Sequence, residues 1–566
     1  MKVNGARALA LVLKKLGVMN IWGMPGAKIL PIYNEIDDVG IKSILVTNEL
    51  SASFMADGYF RVSGKPGVCL TIPGPGFTNM LTGIAEAFLD SSALLIITVN
   101  PKKSSHSFHI HEILHKEIVR PIVKRVVSIS SVLQMHELFE AYHASYQDEP
   151  GPVVVEIESQ VLDQEIEADR LVSEVEPMLA DIGNDAVAKI TEYISQARQV
   201  GIYAGRGCMG AGDDLLNLSK ILSAPIATTI SGRGVVPEDY ALSTGYGFGR
   251  TGSPAAYGIF KACDLILAIG VKFSEMATGG WGLKFNKIIH IDAAKNNLDK
   301  NYSSALSVKA DAKTILEKLN QALMNCPRPV NDRFLQDIKE YRAEHAAQIG
   351  KKQSNNSLHP AKFLQVLRKC LPRDAILSTD VGYHQLWSLS DFDVYAPGTY
   401  LTPTDYQAMG FGIPAALGAA TAMPDKTVIC VCGDGGFLIS GFELLTAVRE
   451  GLNLSVFVFN DGALGLIKGL QKKIYNRHVS VDLKNPDFQQ LACSFGAKYF
   501  LISDDVNLEE RLGAIIKHQG VNLVECKIVY DELPRYIKGS MRNTWENMPL
   551  SKKMAVLYRY VKCRLG

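Results

Sequence analysis

The sequence predicts an α/β fold of three doubly wound, parallel-sheet domains, and three observations carry that expectation. A chain of 566 residues exceeds the ~250–300 residues at which a single core stops growing. Short apolar runs (Val68–Ile72, Leu94–Val99, Val200–Ala204, Leu265–Ile269, Ile288–Ile291, Val428–Cys432, Ser455–Phe459) alternate with stretches of helical period. That alternation is the pattern of buried parallel strands covered by helices. Finally, VCLTIPGPGF (Val68–Phe77) and VICVCGDGGF (Val428–Phe437) are each an apolar strand running into a Gly-rich turn. From Phe77 to Asn100 and from Phe437 to Asn460 is 23 residues in both cases, so the outer domains read as copies at a constant offset of 360.

Residues 1–170, 185–330 and 355–545 are assigned to the three domains, with 546–566 as a C-terminal tail. The breaks fall at the acidic, weakly patterned Glu165–Glu176 and the polar Lys351–Ser357, ahead of a helix opening at His359-Pro360. With 59 basic and 58 acidic residues, the total charge points to neither nucleic acid nor an anionic membrane as partner. No apolar run approaches the ~18–20 residues of a membrane span. The Leu-rich Ala8–Leu13 is interrupted by Lys14 and Lys15 and reads as an amphipathic helix, not a signal peptide. Ten cysteines scattered without metal or disulfide spacing fit a reducing cytoplasm. Cys430 and Cys432 read as small apolar residues of a buried strand.

The two copies differ where chemistry is expected. Asp434 stands where the early copy has Gly74, and Asp461 where it has Pro101. Asp434 is placed at the carboxyl end of a strand, in the loop opening a helix over Phe437–Glu450, where open α/β sheets bind ligands. Gly433, Gly435 and Gly436 would let a diphosphate approach the backbone at that helix start. Asp461 ends the next strand, so the two carboxylates can converge on one hard cation such as Mg²⁺.

At this point the sequence resembles the thiamine-diphosphate enzymes of the acetolactate synthase and pyruvate oxidase type, through Gly433-Asp434-Gly435 with Asn460-Asp461. The resemblance implies that the first and third domains are pyrimidine- and diphosphate-binding copies, and that Asp434, Asp461 and the Ala463 carbonyl hold Mg²⁺. Asp at 461 resembles the catabolic acetolactate synthases, as does Gly23–Ile29. Glu49, in VTNELSASFMADGYFR after the strand Ile44–Val46, resembles the family's catalytic glutamate beside the pyrimidine. DVGYHQLW nominates Tyr383 and His384 at the diphosphate, and YLTPTDYQAMGFGIPAALGAA places Met409 beneath the bend of the cofactor. The family pairs Glu49 of one subunit with the Asp434 loop of another, which implies a homodimer or homotetramer with active sites at the dimer interface.

The departures bear on substrate. An ungapped count back from Arg120-Pro121 puts His111 at the family's active-site glutamine, where a histidine can give or take a proton. His106, His109 and His115 crowd the same stretch. Gln407 stands where the family has a small glycine and would narrow the pocket, while Ala27 and Lys28 are candidates for meeting a substrate carboxylate. Gly205-Arg206-Gly207-Cys208-Met209-Gly210 satisfies GxGxxG after a strand, but no acid ends the next strand, Ile226–Ile230. A structural loop is preferred there, and FAD is the less favoured cofactor. The expected reaction is decarboxylation of a 2-oxo acid, pyruvate by default, with carboligation to a second carbonyl compound. The alternatives are a lyase, decarboxylase or synthase with another donor or acceptor, a pyruvate-oxidase-like flavoenzyme, and a non-catalytic relative.

Overall fold

Continuous apolar runs can be satisfied only in sheets covered on both faces, and three six-stranded parallel sheets result. The structure, a computed structural model, describes residues 1–100, 109–171, 184–350 and 358–554. Numbering strands along each sheet's stretch of chain, the first and third sheets share the order 2-1-3-4-6-5, and the middle sheet has 3-2-1-4-5-6. The duplication seen in sequence is thus matched in topology. Leu94–Asn100 and Leu454–Asn460 occupy the same place in their sheets at the offset of 360.

Some boundaries differ from expectation. The strand before Glu49 is Lys42–Leu45, and Glu49 is the first residue of a helix, Glu49–Ser63, capped by the Asn48 side chain. The expected helix over Phe437–Glu450 is three pieces, Asp434–Ser440, a 3₁₀ turn Gly441–Glu443 and Leu444–Arg449. The break puts Glu443 where it accepts a hydrogen bond from the Thr47 N–H at 3.0 Å, which ties the outer domains together. Glu165–Glu167 pairs antiparallel with Lys2–Asn4. Residues 172–176 of the acidic segment, Lys351–Ser357 and the end of the tail lie outside the described residues. Among the described residues, no helix is long and apolar enough to cross a membrane.

The outer domains meet through the helices Glu49–Ser63 and Gly412–Ala422, and glycine is what lets their backbones touch. A Cβ on Gly58 would lie 2.1 Å from the Ala415 carbonyl oxygen, and one on Gly418 would lie 1.9 Å from that of Met55. Because the clash is with backbone, no rotamer change relieves it. Gly418→Ala should therefore destabilise the protein by about 1–3 kcal/mol, read as a lower midpoint of chemical unfolding. A midpoint equal to the parent's would show that the helices can separate without cost.

Candidate active site

The order 2-1-3-4 in the third sheet creates a switch point between Ile376–Thr379 and Val428–Gly433, the place where such sheets bind ligands at their carboxyl ends. A cavity of about 110 Å³ lies there. Tyr383, His384, Met409, Gly433, Asp434, Gly435, Gly436, Asp461 and Ala463 all line it, as the sequence predicts for a single site.

Asp434 is buried and opens its short helix. Its Oδ1 accepts from the Gly435 N–H at 2.9 Å, and its Oδ2 accepts from the Gly462 N–H at 2.9 Å and the Asn485 amide at 2.7 Å. Asp461 follows the neighbouring strand, whose Phe459 pairs with Gly433. Burial, reinforced by the Asp434 charge, pushes Asp461 up to about 7, and burial also raises Asp434. The two carboxylates are brought together with the Lys468 charge acting on Asp461, and a divalent cation with oxygen preference suits such a pair. Ala463 sits on the turn after Asp461, in a β-bridge with Asp482.

Opposite this pair, burial pulls His384 down to about 3, so its ring is neutral, and its Nε2 has no partner. That orphaned nitrogen, the Gly-rich turn and the carboxylate pair fit a diphosphate bridged by a cation. The glycines also serve packing. A Cβ on Gly435 would lie 2.7 Å from the Leu464 side chain, and one on Gly436 would lie 2.8 Å from the Asp380 carboxyl carbon.

Asp380 and Asn485 were missed in the sequence. Asp380 is fully buried and accepts from the N–H groups of Val381, Gly410 and Gly412 at 2.8–3.1 Å. It therefore fixes the turn carrying Met409, which precedes the helix Gly412–Ala422 and does not start it. Asp380 opens the segment that nominated Tyr383 and His384. Asn485 offered no signal, being a loop residue 51 positions beyond Asp434.

No described residue of the N-terminal domain lines the cavity. Glu49 is buried in its own domain, where its Oε2 accepts from the Asn79 amide at 3.0 Å and its Oε1 lies beside Gly76. His111 has φ +69°, its backbone packs on Gly74, and its Nδ1 has no partner. Glu49 and His111 thus flank one turn, Gly74–Gly76. Gln407 also has a positive φ, but its amide turns back to the Pro403 and Thr404 carbonyls, both at 2.8 Å, and it lies outside the cavity of a single chain. Ala27 and Lys28 are exposed just before the helix Leu30–Asp38. His106 lies outside the described residues. Among the described residues, no group of three or more His, Cys, Asp or Glu side chains is arranged to hold a metal, so the histidine stretch offers no such site there.

Fold and cavity together define a duplicated α/β protein with a carboxylate pair and a glycine turn at one switch point. The chain matches the thiamine pyrophosphate enzyme models for the N-terminal TPP binding domain over residues 3–120, the central domain over 187–319 and the C-terminal TPP binding domain over 380–526. It is 32% identical to a probable acetolactate synthase large subunit of Methanocaldococcus jannaschii over 90% of this chain and 89% of the relative. It is 29% identical to the acetolactate synthase isozyme 2 large subunit of Escherichia coli, over 97% and 98%. A probable 2-ketoarginine decarboxylase of Pseudomonas aeruginosa is 32% identical over 93% and 94%. The chain belongs to the thiamine pyrophosphate enzymes and is acetolactate synthase-like within them.

The Asp461 shift has a consequence for the cation-free protein. A carboxylate whose folded pKa is raised costs stability once it ionises, so the cost is absent below the unfolded value near 4 and complete above about 7. Asp461→Asn should therefore raise the thermal midpoint of the protein stripped of divalent ions at pH 8 and change it little at pH 4. An equal effect at both pH values would refute the charge argument.

Proposed function

We propose that the protein uses thiamine diphosphate and Mg²⁺ to decarboxylate a 2-oxo acid, pyruvate by default, and to join the remaining carbon unit to a second carbonyl compound. The observation that carries this reading is the placement of Asp434 and Asp461 at adjoining strand ends beside a glycine turn, in a duplicated fold whose other copy holds Glu49. When bound, thiamine diphosphate supplies the carbon nucleophile and the sink for the charge left by CO₂. Asp434, Asp461 and the Ala463 carbonyl would hold the metal. His384, Tyr383 and the backbone of Gly433, Gly435 and Gly436 would face the diphosphate, and Met409 would support the bend. Glu49 would hold a proton at the pyrimidine. His111, at the family's glutamine position, would give or take a proton at the substrate. Ala27, Lys28 and Gln407 would meet the substrate across subunits.

A homodimer, or a tetramer built from it, suits this division of labour, because the cavity lacks Glu49 within one chain. Exposed Leu438, Ile439, Phe442 and Leu445, directly after the Asp434 loop, form an apolar face that a partner subunit would cover. Flavin is the less favoured cofactor, and the reading does not require it. The cavity at the Gly205–Gly210 loop is about 250 Å³. Beside it, the Lys272 ammonium is tied to the Leu89 carbonyl, Ser91 and Glu149 at 2.7–2.9 Å. The cytoplasm is the compartment that suits the free, mostly buried cysteines.

The Pseudomonas relative, named a decarboxylase, and the histidine at 111 favour a second reading, in which a larger 2-oxo acid is decarboxylated and the product is protonated without carboligation. Mass spectrometry of products from pyruvate, Mg²⁺ and thiamine diphosphate without flavin separates the two. Acetolactate is expected, together with a loss of about 10²–10⁴-fold in kcat for Glu49→Gln. Carbon dioxide without acetolactate, or turnover only of larger 2-oxo acids, would replace the first reading with the second.

A further inference from the structure

Asn100 and Asn460 correspond at the offset of 360, and the acids beside them correspond as well. Glu156 pairs in register with Thr98, and Glu525 pairs with Val458, the residue equivalent to Thr98. Both copies therefore keep an Asn and a Glu on neighbouring strands beneath the Gly-rich turn. In the third domain they bond directly, Asn460 Nδ2 to Glu525 at 2.6 Å, and Asn460 Oδ1 helps hold Gly462 and Asn485 beneath Asp434. In the first domain a histidine stands between them.

His115 is completely buried. The Gly74 N–H donates to its Nε2 at 3.0 Å, which makes that nitrogen the acceptor and leaves the ring proton on Nδ1. Nδ1 then donates to Asn100 Oδ1 at 2.7 Å, with Glu156 Oε1 3.3 Å away. The Phe77 ring packs edge-on against the imidazole, its centroid 4.6 Å off. Gly74 has φ +69° and ψ −114°, and a Cβ there would lie 3.0 Å from the His111 Cα. Two residues on, Gly76 lies against Glu49 Oε1. One buried ring thus fixes, through a single amide, the turn on which Glu49 and His111 both rest.

We propose that His115 is a positioning residue, which through the Gly74 N–H sets the spacing between Glu49 and His111. In this copy the Asn–Glu scaffold that carries the carboxylate site in the other copy is used to anchor that turn. The proposal rests on the reading of Glu49 as the group that acts at the cofactor's pyrimidine.

The test uses His115→Leu, which removes the acceptor, and His115→Gln, which can keep one. Two quantities are measured: amide hydrogen exchange of the Gly74 turn in cofactor-free protein, and exchange of the cofactor's C2 proton with solvent deuterium in the loaded enzyme. His115→Leu is expected to speed amide exchange at Gly74 and to slow C2 exchange by roughly tenfold or more. The dissociation constant for thiamine diphosphate should stay within about threefold, because the diphosphate is held by the other domain. His115→Gln should recover part of both losses. C2 exchange within twofold of the parent in folded His115→Leu, or a fall that follows cofactor loss alone, would overturn the proposal. If His115→Leu does not fold, Asn100→Ala keeps the ring, removes its Nδ1 acceptor and is read by the same criteria. Glu49→Gln is the control: unaltered C2 exchange in that variant would reject the role of Glu49, independently of the Gly74 result.

Discussion

Two carboxylates held at the ends of adjacent parallel strands are the constraint on which the third domain depends. Asp434 and Asp461 follow strands that pair through Gly433 and Phe459, so the sheet itself brings like charges together. The surroundings concentrate on Asp434. Two backbone N–H groups and the Asn485 amide favour its ionised form, while burial opposes it. Asp461 is left as the site's variable charge, raised by burial and by its neighbour. Such an arrangement is poorly suited to a structural ion pair and well suited to a cation that arrives with its own anionic ligand.

The duplicated fold explains how one architecture supplies two unlike halves of a site. The strand order is the same in both outer domains, so each has a switch point and a Gly-rich turn at the carboxyl end of its third strand. In one copy that turn holds Asp434. In the other the equivalent Gly74 has a backbone conformation open only to glycine and is bordered by Glu49 and His111. The glycine-mediated contact between the helices Glu49–Ser63 and Gly412–Ala422 fixes how the copies sit within a chain. In that arrangement Glu49 stays outside the cavity lined by its own chain's carboxylates, and under the proposed function a second subunit would complete the site.

The sequence made the sheets legible because buried parallel strands are continuous apolar runs, and Val200–Ala204 and Leu265–Ile269 coincide with strands residue for residue. It singled out Asp434 and Asp461 because each adjoins such a run, whereas Glu49 was nominated by the family resemblance. The break at Gly441–Glu443 could not be read, since it depends on a contact with Thr47 almost 400 residues away. Asn485, Asp380 and the buried ring of His115 were hidden for the same reason. Their roles are hydrogen bonds between segments distant in sequence, which neither periodicity nor a local motif encodes. For Gln407, the family resemblance suggested a side chain narrowing the pocket, whereas a positive φ and two local carbonyls turn it back onto its own loop.

The diphosphate half of the site does not distinguish one substrate from another. A probable acetolactate synthase large subunit and a probable 2-ketoarginine decarboxylase are each 32% identical to this chain, so overall similarity does not choose between them. Under the proposed function, a cation, two carboxylates and a glycine turn would hold the same diphosphate whatever carbonyl compound reacts at the other end. Discrimination has to come from groups that face the reacting carbons, and specificity is a difference between interactions with competing substrates. Under the proposed function, such groups on the first domain would be those around the Gly74 turn. A histidine whose Nδ1 has no partner within its own chain stands there on a backbone held by a second, buried histidine. Under the proposed function, proton delivery there would decide between protonation of the carbon unit and its attack on a second carbonyl, which would put the choice between the two reactions beside Gly74.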